Sequence, residues 1–248
     1  MKDFRGELAR FESMLRRRHP FAIARFGDGE IRIARNTTTD YPDFAYDPAA
    51  GEQRWYRDRL LDALRHRQED YFVAISAPCC VGDAEFFVYR ALAGQPDESL
   101  TFACLFVNSN YPLFREAWIP LFGRYDVFLV CHRDAMATDA LPFPVRAISR
   151  VGDNAWIHDY ALIDALQATI DRQRIQGALF LIAAGPFGGV VAQQLFARAP
   201  HNTYLDVGST LDPLLFGRDT RPYHRGLADH AFCTWSPARL RPQSEATA

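Results

Sequence analysis

Two acids separated by one glycine, Asp28 and Glu30 in the run Arg25-Phe26-Gly27-Asp28-Gly29-Glu30, carry the clearest chemical possibility in this chain. Hard divalent cations take oxygen ligands, and Mg²⁺ is usually held by one or two carboxylates together with substrate phosphates. A cation gripped by this pair would bridge a pyrophosphate. Arg25 could add a fixed positive charge to the same phosphates, or it could neutralise the two acids in a structural pair. The competing reading is structural too: Asp28 precedes Ile31, Ile33 and Ala34 as a helix N-cap, with Glu30 favoured in the first turn by the helix dipole. The residues alone leave both readings open.

The elements that would hold these groups follow from local pattern. Phe21, Ala22, Ile23 and Ala24 read as a short buried strand, and Gly27 and Gly29 let the chain turn tightly at its end. Ligands of open α/β sheets bind outside the carboxyl ends of strands, which is where this acidic turn falls. A second candidate lies late in the chain, where the buried strand Ala178 to Ala183 flows into Gly185-Pro186-Phe187-Gly188-Gly189 and a helix carrying Val190, Val191, Leu195 and Phe196. A glycine turn before a helix exposes amides to an anion, and the dipole adds to the attraction. Those glycines could instead serve close packing of helix on strand. Thr203 to Val207 is expected to be the final strand, with Asp206 near its end, Gly208-Ser209-Thr210 after it and Asp212 on the next turn. The polar, proline-broken run Arg218 to Arg225, which includes Arg221 and His224, offers groups to close over phosphates.

Elsewhere, Phe4, Leu8, Phe11, Met14 and Leu15 predict a helix ending near His19-Pro20, with Arg16, Arg17 and Arg18 as a solvated face. The aperiodic stretch 36–51 is a loop long enough to act as a lid, with Tyr41, Phe44 and Tyr46 able to stack on a ligand or pack on the body. A helix over about 52–67 and a strand Tyr71 to Ser76 follow, and Asp83 is placed to cap the helix of Phe86, Phe87 and Leu92. Leu100 to Val107 predicts a third strand ending in Asn108-Ser109-Asn110. A helix with Leu113, Trp118 and Leu121 leads to Asp126–Cys131, whose unbroken apolar run predicts a central strand. His132, Arg133 and Asp134 stand at its end, and Val145 to Ile148 is a further strand. Gly152-Asp153-Asn154-Ala155-Trp156 is a turn in which Asp153 or Asn154 would cap the next helix.

The 248 residues, 48% hydrophobic and 23% charged, are ordinary for a globular α/β domain and exclude a disordered chain. A net charge of -2 gives no electrostatic case for nucleic acid. There is no apolar signal core and no run long enough to span a membrane. The five cysteines, Cys79, Cys80, Cys104, Cys131 and Cys233, read as buried thiols of a reducing compartment, and the adjacent Cys79 and Cys80 lack the gap of a zinc knuckle. One domain over 1–240 with a disordered tail, 241–248, is expected.

The run Arg25 to Glu30 resembles the signature of the GT-D type glycosyltransferases, a family first catalogued as a domain of unknown function. The similarity extends to Ala183-Ala184-Gly185-Pro186 and to Leu205-Asp206-Val207-Gly208 with Asp212. It implies a Rossmann-like three-layer sandwich with a mostly parallel sheet and an Asp-x-Glu metal motif. It also implies transfer of a sugar from a nucleotide sugar such as UDP-glucose to a glycan or glycoprotein acceptor in the bacterial cytoplasm. Asp28 and Glu30 would then hold Mn²⁺ or Mg²⁺, and Arg25, Gly27, Gly29, Gly185, Pro186, Gly188, Ser209 and Arg221 would surround the donor. Asn154, in an Asn-Ala-aromatic element that the family places similarly, would contact sugar or nucleotide. The family commonly has a His after the Gly of the late motif; Ser209 stands there, which leaves that His's role unassigned. An acceptor hydroxyl needs a base if the reaction inverts, and Asp206, Asp212 and His224 are the alternatives. A homo-oligomer is compatible with this reading.

Two other classes compete. Ala183-x-Gly185-x-x-Gly188 nearly reproduces a dinucleotide fingerprint, with Asp206 at the distance of a ribose-binding acid, so an NAD(P)-dependent oxidoreductase is one. A nucleotide-sugar-binding domain without turnover is the other.

Overall fold

The structure, a computed structural model, describes residues 2–136, 138–227 and 233–235. Its centre is a sheet of seven strands: β1 (Ala22–Phe26), β2 (Tyr71–Ile75), β3 (Leu100–Phe102), β4 (Val127–His132), β5 (Val145–Val151), β6 (Leu179–Ala183) and β7 (Thr203–Asp206). They lie in the order β3-β2-β1-β7-β6-β4-β5, and every pairing is parallel. The chain runs outward through β1, β2 and β3, crosses to the far edge, and returns inward to β7. Its direction therefore reverses between β1 and β7, the kind of switch point where α/β sheets open a crevice.

Strand alternation divides the interior. Ala22, Ala24 and Phe26 face a core shared with α3 (Gln53–Arg65), α5 (Leu162–Gln173) and α6 (Pro186–Arg198), after α1 (Phe4–Arg16), α2 (Asp28–Ala34) and α4 (Asp83–Ala93) in chain order. Phe21 and Ile23 face a second core with α1 and the helical stretch 111–122. Two apolar layers on one parallel sheet make the expected three-layer α/β sandwich.

Several local expectations are corrected. β3 stops at Phe102, because Leu105 and Val107 donate backbone hydrogen bonds into turns at Phe102 and Cys104. β4 is not central: it lies between β6 and the edge strand β5, and the centre is β7. Asp83 begins α4 with Gly82 as N-cap and makes no side-chain capping bond. Thr203 to Val207 is not the last strand, since Thr234–Trp235 pairs antiparallel with Lys2–Asp3. That pairing brings Cys233 beside Cys79, to which it is disulfide-bonded, so the cysteines are not all free thiols. The expected tail, 241–248, lies outside the described residues.

Candidate active site

A cavity of about 1030 Å³ opens at the carboxyl ends of β1, β6 and β7. Among the residues expected at a site, Arg25, Gly27, Asp28, Gly29, Glu30, Gly185, Pro186, Asp206, Ser209, Asp212 and Arg221 line it. Asn154, Gly188 and His224 do not.

The acidic turn is built as follows. α2 starts at Asp28 with Gly27 as its N-cap, and Glu30 reaches back to accept the Gly27 N–H at 3.0 Å. Asp28 is exposed and makes no capping bond, so its carboxylate faces the cavity, with the Tyr41 hydroxyl 3.4 Å from Oδ2. Asp206, at the end of β7, is buried, and it accepts the backbone N–H groups of Arg25 and Gly208 at 3.2 Å each. The Arg25 guanidinium lies against Gly208 and is fixed by its Nε–H to the Ala103 carbonyl at 2.9 Å.

Burial chiefly, with repulsion from Asp206 and Asp28, pushes Glu30 up to about 7 from its ordinary 4.5. Burial raises Asp206 to about 6 against the pull of Arg25. Asp212, which accepts the Thr220 hydroxyl, is also raised by burial to about 6. Each of these acids binds protons more tightly folded than unfolded. Their contribution to stability is full below about pH 4 and is lost as pH rises through 6 to 7. In the absence of divalent cations, thermal stability is expected to fall between pH 5 and pH 8, and Mn²⁺ is expected to restore much of it at pH 8. Calorimetric melting across that range checks this; a fall that Glu30→Gln does not lessen would contradict it.

A small hairpin, Thr39–Asp40 with Ala45–Tyr46, covers the cleft. Its tip carries Tyr41 and Phe44, whose rings lie 4.8 Å apart over Gly29, where an added Cβ would meet Phe44 Cζ at 2.6 Å. Tyr46 is buried and hydrogen-bonds Asn36, so it packs on the body. Asn154 holds the hairpin: its Oδ1 accepts the Ala45 N–H at 2.6 Å, and its own N–H donates to the Asp43 carbonyl at 3.0 Å. Its side chain neither caps a helix nor lines the cavity. Asp43 was not singled out from sequence, yet it lies by Gly185 and electrostatically opposes Asp212. The only sequence signal for it was its place in the aperiodic lid. At the opposite rim, His132 Nε2 lies 3.2 Å from Asp153, and both line the cavity.

The late glycine turn opens α6, but few of its amides are left to meet an anion. Pro186 has no N–H, while Phe187 and Gly188 donate to the carbonyls of Ala184 and Gly185. Gly188 instead lets α6 approach β7, where a Cβ would meet the Asp206 carboxylate at 2.8 Å. Gly188 thus serves packing, while Gly185 and Pro186 line the cavity. Ser209 is tied to the Tyr223 hydroxyl at 2.8 Å.

His224 has no capacity to spare. Its Nδ1 accepts the N–H groups of Thr220 and Arg221, and its Nε2 donates to the Ser209 carbonyl at 3.0 Å. Burial pushes its pKa down, which keeps the ring neutral. It clamps the Arg221 segment onto the loop after β7. His224→Ala is expected to cost about 1–3 kcal/mol of stability. Turnover per folded molecule should fall far less than the roughly 10²–10⁴-fold loss of a general base. Urea melts and kinetics on the same sample separate the two roles.

The sequence matches no family model, and no curated protein is significantly similar to it. Three solved structures share its fold. One, described as the highly conserved domain of unknown function 1792 with a distinct glycosyltransferase fold, aligns with TM-score 0.55 at 16% identity, covering 94% of this chain and 91% of its own. A selenomethionine-substituted structure of that domain aligns at 0.56 and 15% over the same shares. A third, described as a new glycosyltransferase from Streptococcus sanguinis, aligns at 0.52 and 16% over 85% of this chain and 84% of its own. The chain thus has the fold of those glycosyltransferase structures.

Proposed function

We propose that this protein is a metal-dependent glycosyltransferase that moves a sugar from a nucleoside diphosphate sugar, UDP-glucose or a close relative, to a glycan or glycoprotein acceptor. The observation that supports this most is the meeting of Asp28, Glu30 and Asp206 in one cleft at the sheet's switch point. Three carboxylates would repel a diphosphate unless a cation stood between them, and burial, with a smaller part from repulsion by Asp206 and Asp28, already raises Glu30's proton affinity. The donors are hard oxygens and fit Mn²⁺ or Mg²⁺, with Asp28 and Glu30 as the ligands. When bound, such an ion neutralises charge on the departing nucleoside diphosphate.

The chain's own groups would do the rest. Arg25, fixed by Ala103, would direct positive charge into the cleft, and Arg221 would approach the phosphates from the rim. Asp206 positions the backbone of Arg25 and Gly208 and has its two oxygens engaged. Asp212 is half-buried at the cavity wall and raised to about 6, which makes it the better base of the three alternatives for an acceptor hydroxyl. The Tyr41–Phe44 hairpin would exclude water from the donor. A cavity of about 1030 Å³ has room for a donor and part of an acceptor.

A nicotinamide enzyme is less well supported. Its fingerprint needs a glycine where Ala183 stands and Asp206 free for a ribose; here both Asp206 oxygens accept backbone N–H groups, from Arg25 and Gly208. A cytoplasmic setting belongs to the proposal, and no helix among the described residues is long and apolar enough to cross a membrane. Incubation with a panel of nucleotide sugars, Mn²⁺ and several acceptors, read by mass spectrometry, should give nucleoside diphosphate and glycosylated product. NADH binding that needs no divalent ion, with no turnover of any donor, would overturn the reading.

A further inference from the structure

Away from the cleft, three of the five cysteines gather from distant parts of the chain. Cys79 and Cys80 lie on the short helix after β2, and Cys233 arrives with the strand that pairs with Lys2–Asp3. Their sulfurs all lie within 4.8 Å of one another. A fourth cysteine, the buried Cys104, hydrogen-bonds Cys80. Cys79 and Cys233 form a disulfide, a pairing in which Cys80 takes no part. Yet Cys80 Sγ stands 3.8 Å from Cys79 Sγ and 3.7 Å from Cys233 Sγ. A tetrahedral zinc thiolate, with Zn–S of about 2.3 Å, has sulfurs about 3.8 Å apart along each edge. Two of the three separations already match that edge, and opening the disulfide frees the third.

We propose that the reduced protein binds a zinc ion through the thiolates of Cys79, Cys80 and Cys233. The two states exchange in a balanced way. A dithiol gives two electrons and its two protons to the Cys79–Cys233 bond and becomes a disulfide. A phosphine gives two electrons and becomes a phosphine oxide, with one water supplying its oxygen and the two protons; either way two thiols form. Zinc then displaces one proton from each of the three thiols to solvent. Thiolates select a soft or borderline ion, whereas the carboxylates of the cleft select a hard one, so the two sites sort their metals by chemistry. Cys79 is exposed, which gives the ion an entry path, and Cys233 is buried. In either state the cluster staples the 233–235 segment to the short helix after β2, beside the edge strand β3, whose Phe102 stacks on Trp235. The gap rule for a zinc knuckle misses it because the third sulfur comes from 153 residues beyond Cys80.

Full-length protein, reduced with a phosphine under argon and freed of metal, is titrated with Co²⁺ as the probe and then with Zn²⁺. One equivalent of Co²⁺ should raise a thiolate-to-metal charge-transfer band in the near ultraviolet, and Zn²⁺ should abolish it. Cys80→Ser and Cys233→Ser should each weaken binding roughly 100-fold or more. Cys131→Ala, far from the cluster, and Glu30→Gln, which disables the cleft, should leave the band unchanged. A reduced protein whose thiols titrate freely but give no such band overturns the proposal, as does a band that survives Cys80→Ser or vanishes with Glu30→Gln.

Discussion

Glu30→Gln is expected to lower metal-dependent donor turnover by more than about 100-fold while leaving the protein as stable as before, or more so, at pH 8. Changing even an outer-shell group at a metal site costs about 10- to 100-fold, and here a direct ligand would lose its charge. The fold should not suffer, because the glutamine amide oxygen can still accept the Gly27 N–H that Glu30 accepts at 3.0 Å. The variant also removes an acid that burial and its neighbours push up to about 7, so the charge repelled at pH 8 is gone. Activity and stability thus move in opposite directions. A purely helix-capping Glu30 would give the reverse pattern, with lower stability and nearly intact turnover. Thermal melts and kinetics at pH 8, with and without Mn²⁺, distinguish the two.

Gly188→Ala should be strongly destabilising, although it adds only one methyl group. In most helices this change helps, since alanine is favoured over glycine by about 1 kcal/mol. Here the new Cβ would lie 2.8 Å from Cγ and Oδ1 of Asp206, a side chain fixed by N–H groups from Arg25 and Gly208. Neither partner can withdraw without breaking those bonds or prising α6 from the sheet. Overpacking of this kind costs about 1–3 kcal/mol net. For a chain of this size each kcal/mol lowers Tm by about 2–4 °C. Because Asp206 positions the Arg25 backbone, affinity for a nucleoside diphosphate with Mn²⁺ should fall as well. Gly189→Ala is the control: its Cβ would meet the edge of the Phe26 ring at 3.2 Å, a gentler contact. Equal Tm losses from the two variants would contradict this account.

The sequence announced the acidic turn because its signals are local: a buried strand, two glycines and two acids within six positions. The parallel α/β sandwich was legible for the same reason, since each strand and helix carries its own period. What escaped depends on contacts between distant residues. Asn154 looked like a helix cap or a ligand contact, but its side-chain partner is Ala45, 109 positions earlier. His224 looked like a base, but both ring nitrogens are spent on backbone groups. The unbroken apolar run of Asp126 to Cys131 reports burial on both faces, which a strand next to an edge can also have, so it could not locate the centre. The late glycines satisfied two readings at once, and only the nearness of Gly188 to Asp206 favoured packing. The bond from Cys79 to Cys233 spans 154 positions and depends on the terminal strand pairing.

The central claim is that Asp28 and Glu30 join a divalent cation to a nucleoside diphosphate. Calorimetric titration of the full chain with UDP, with and without Mn²⁺, tests it most directly, with Asp28→Asn alongside. The account predicts binding that depends on Mn²⁺ in the wild type and is lost in the variant; UDP bound equally well by both proteins without any metal would contradict it.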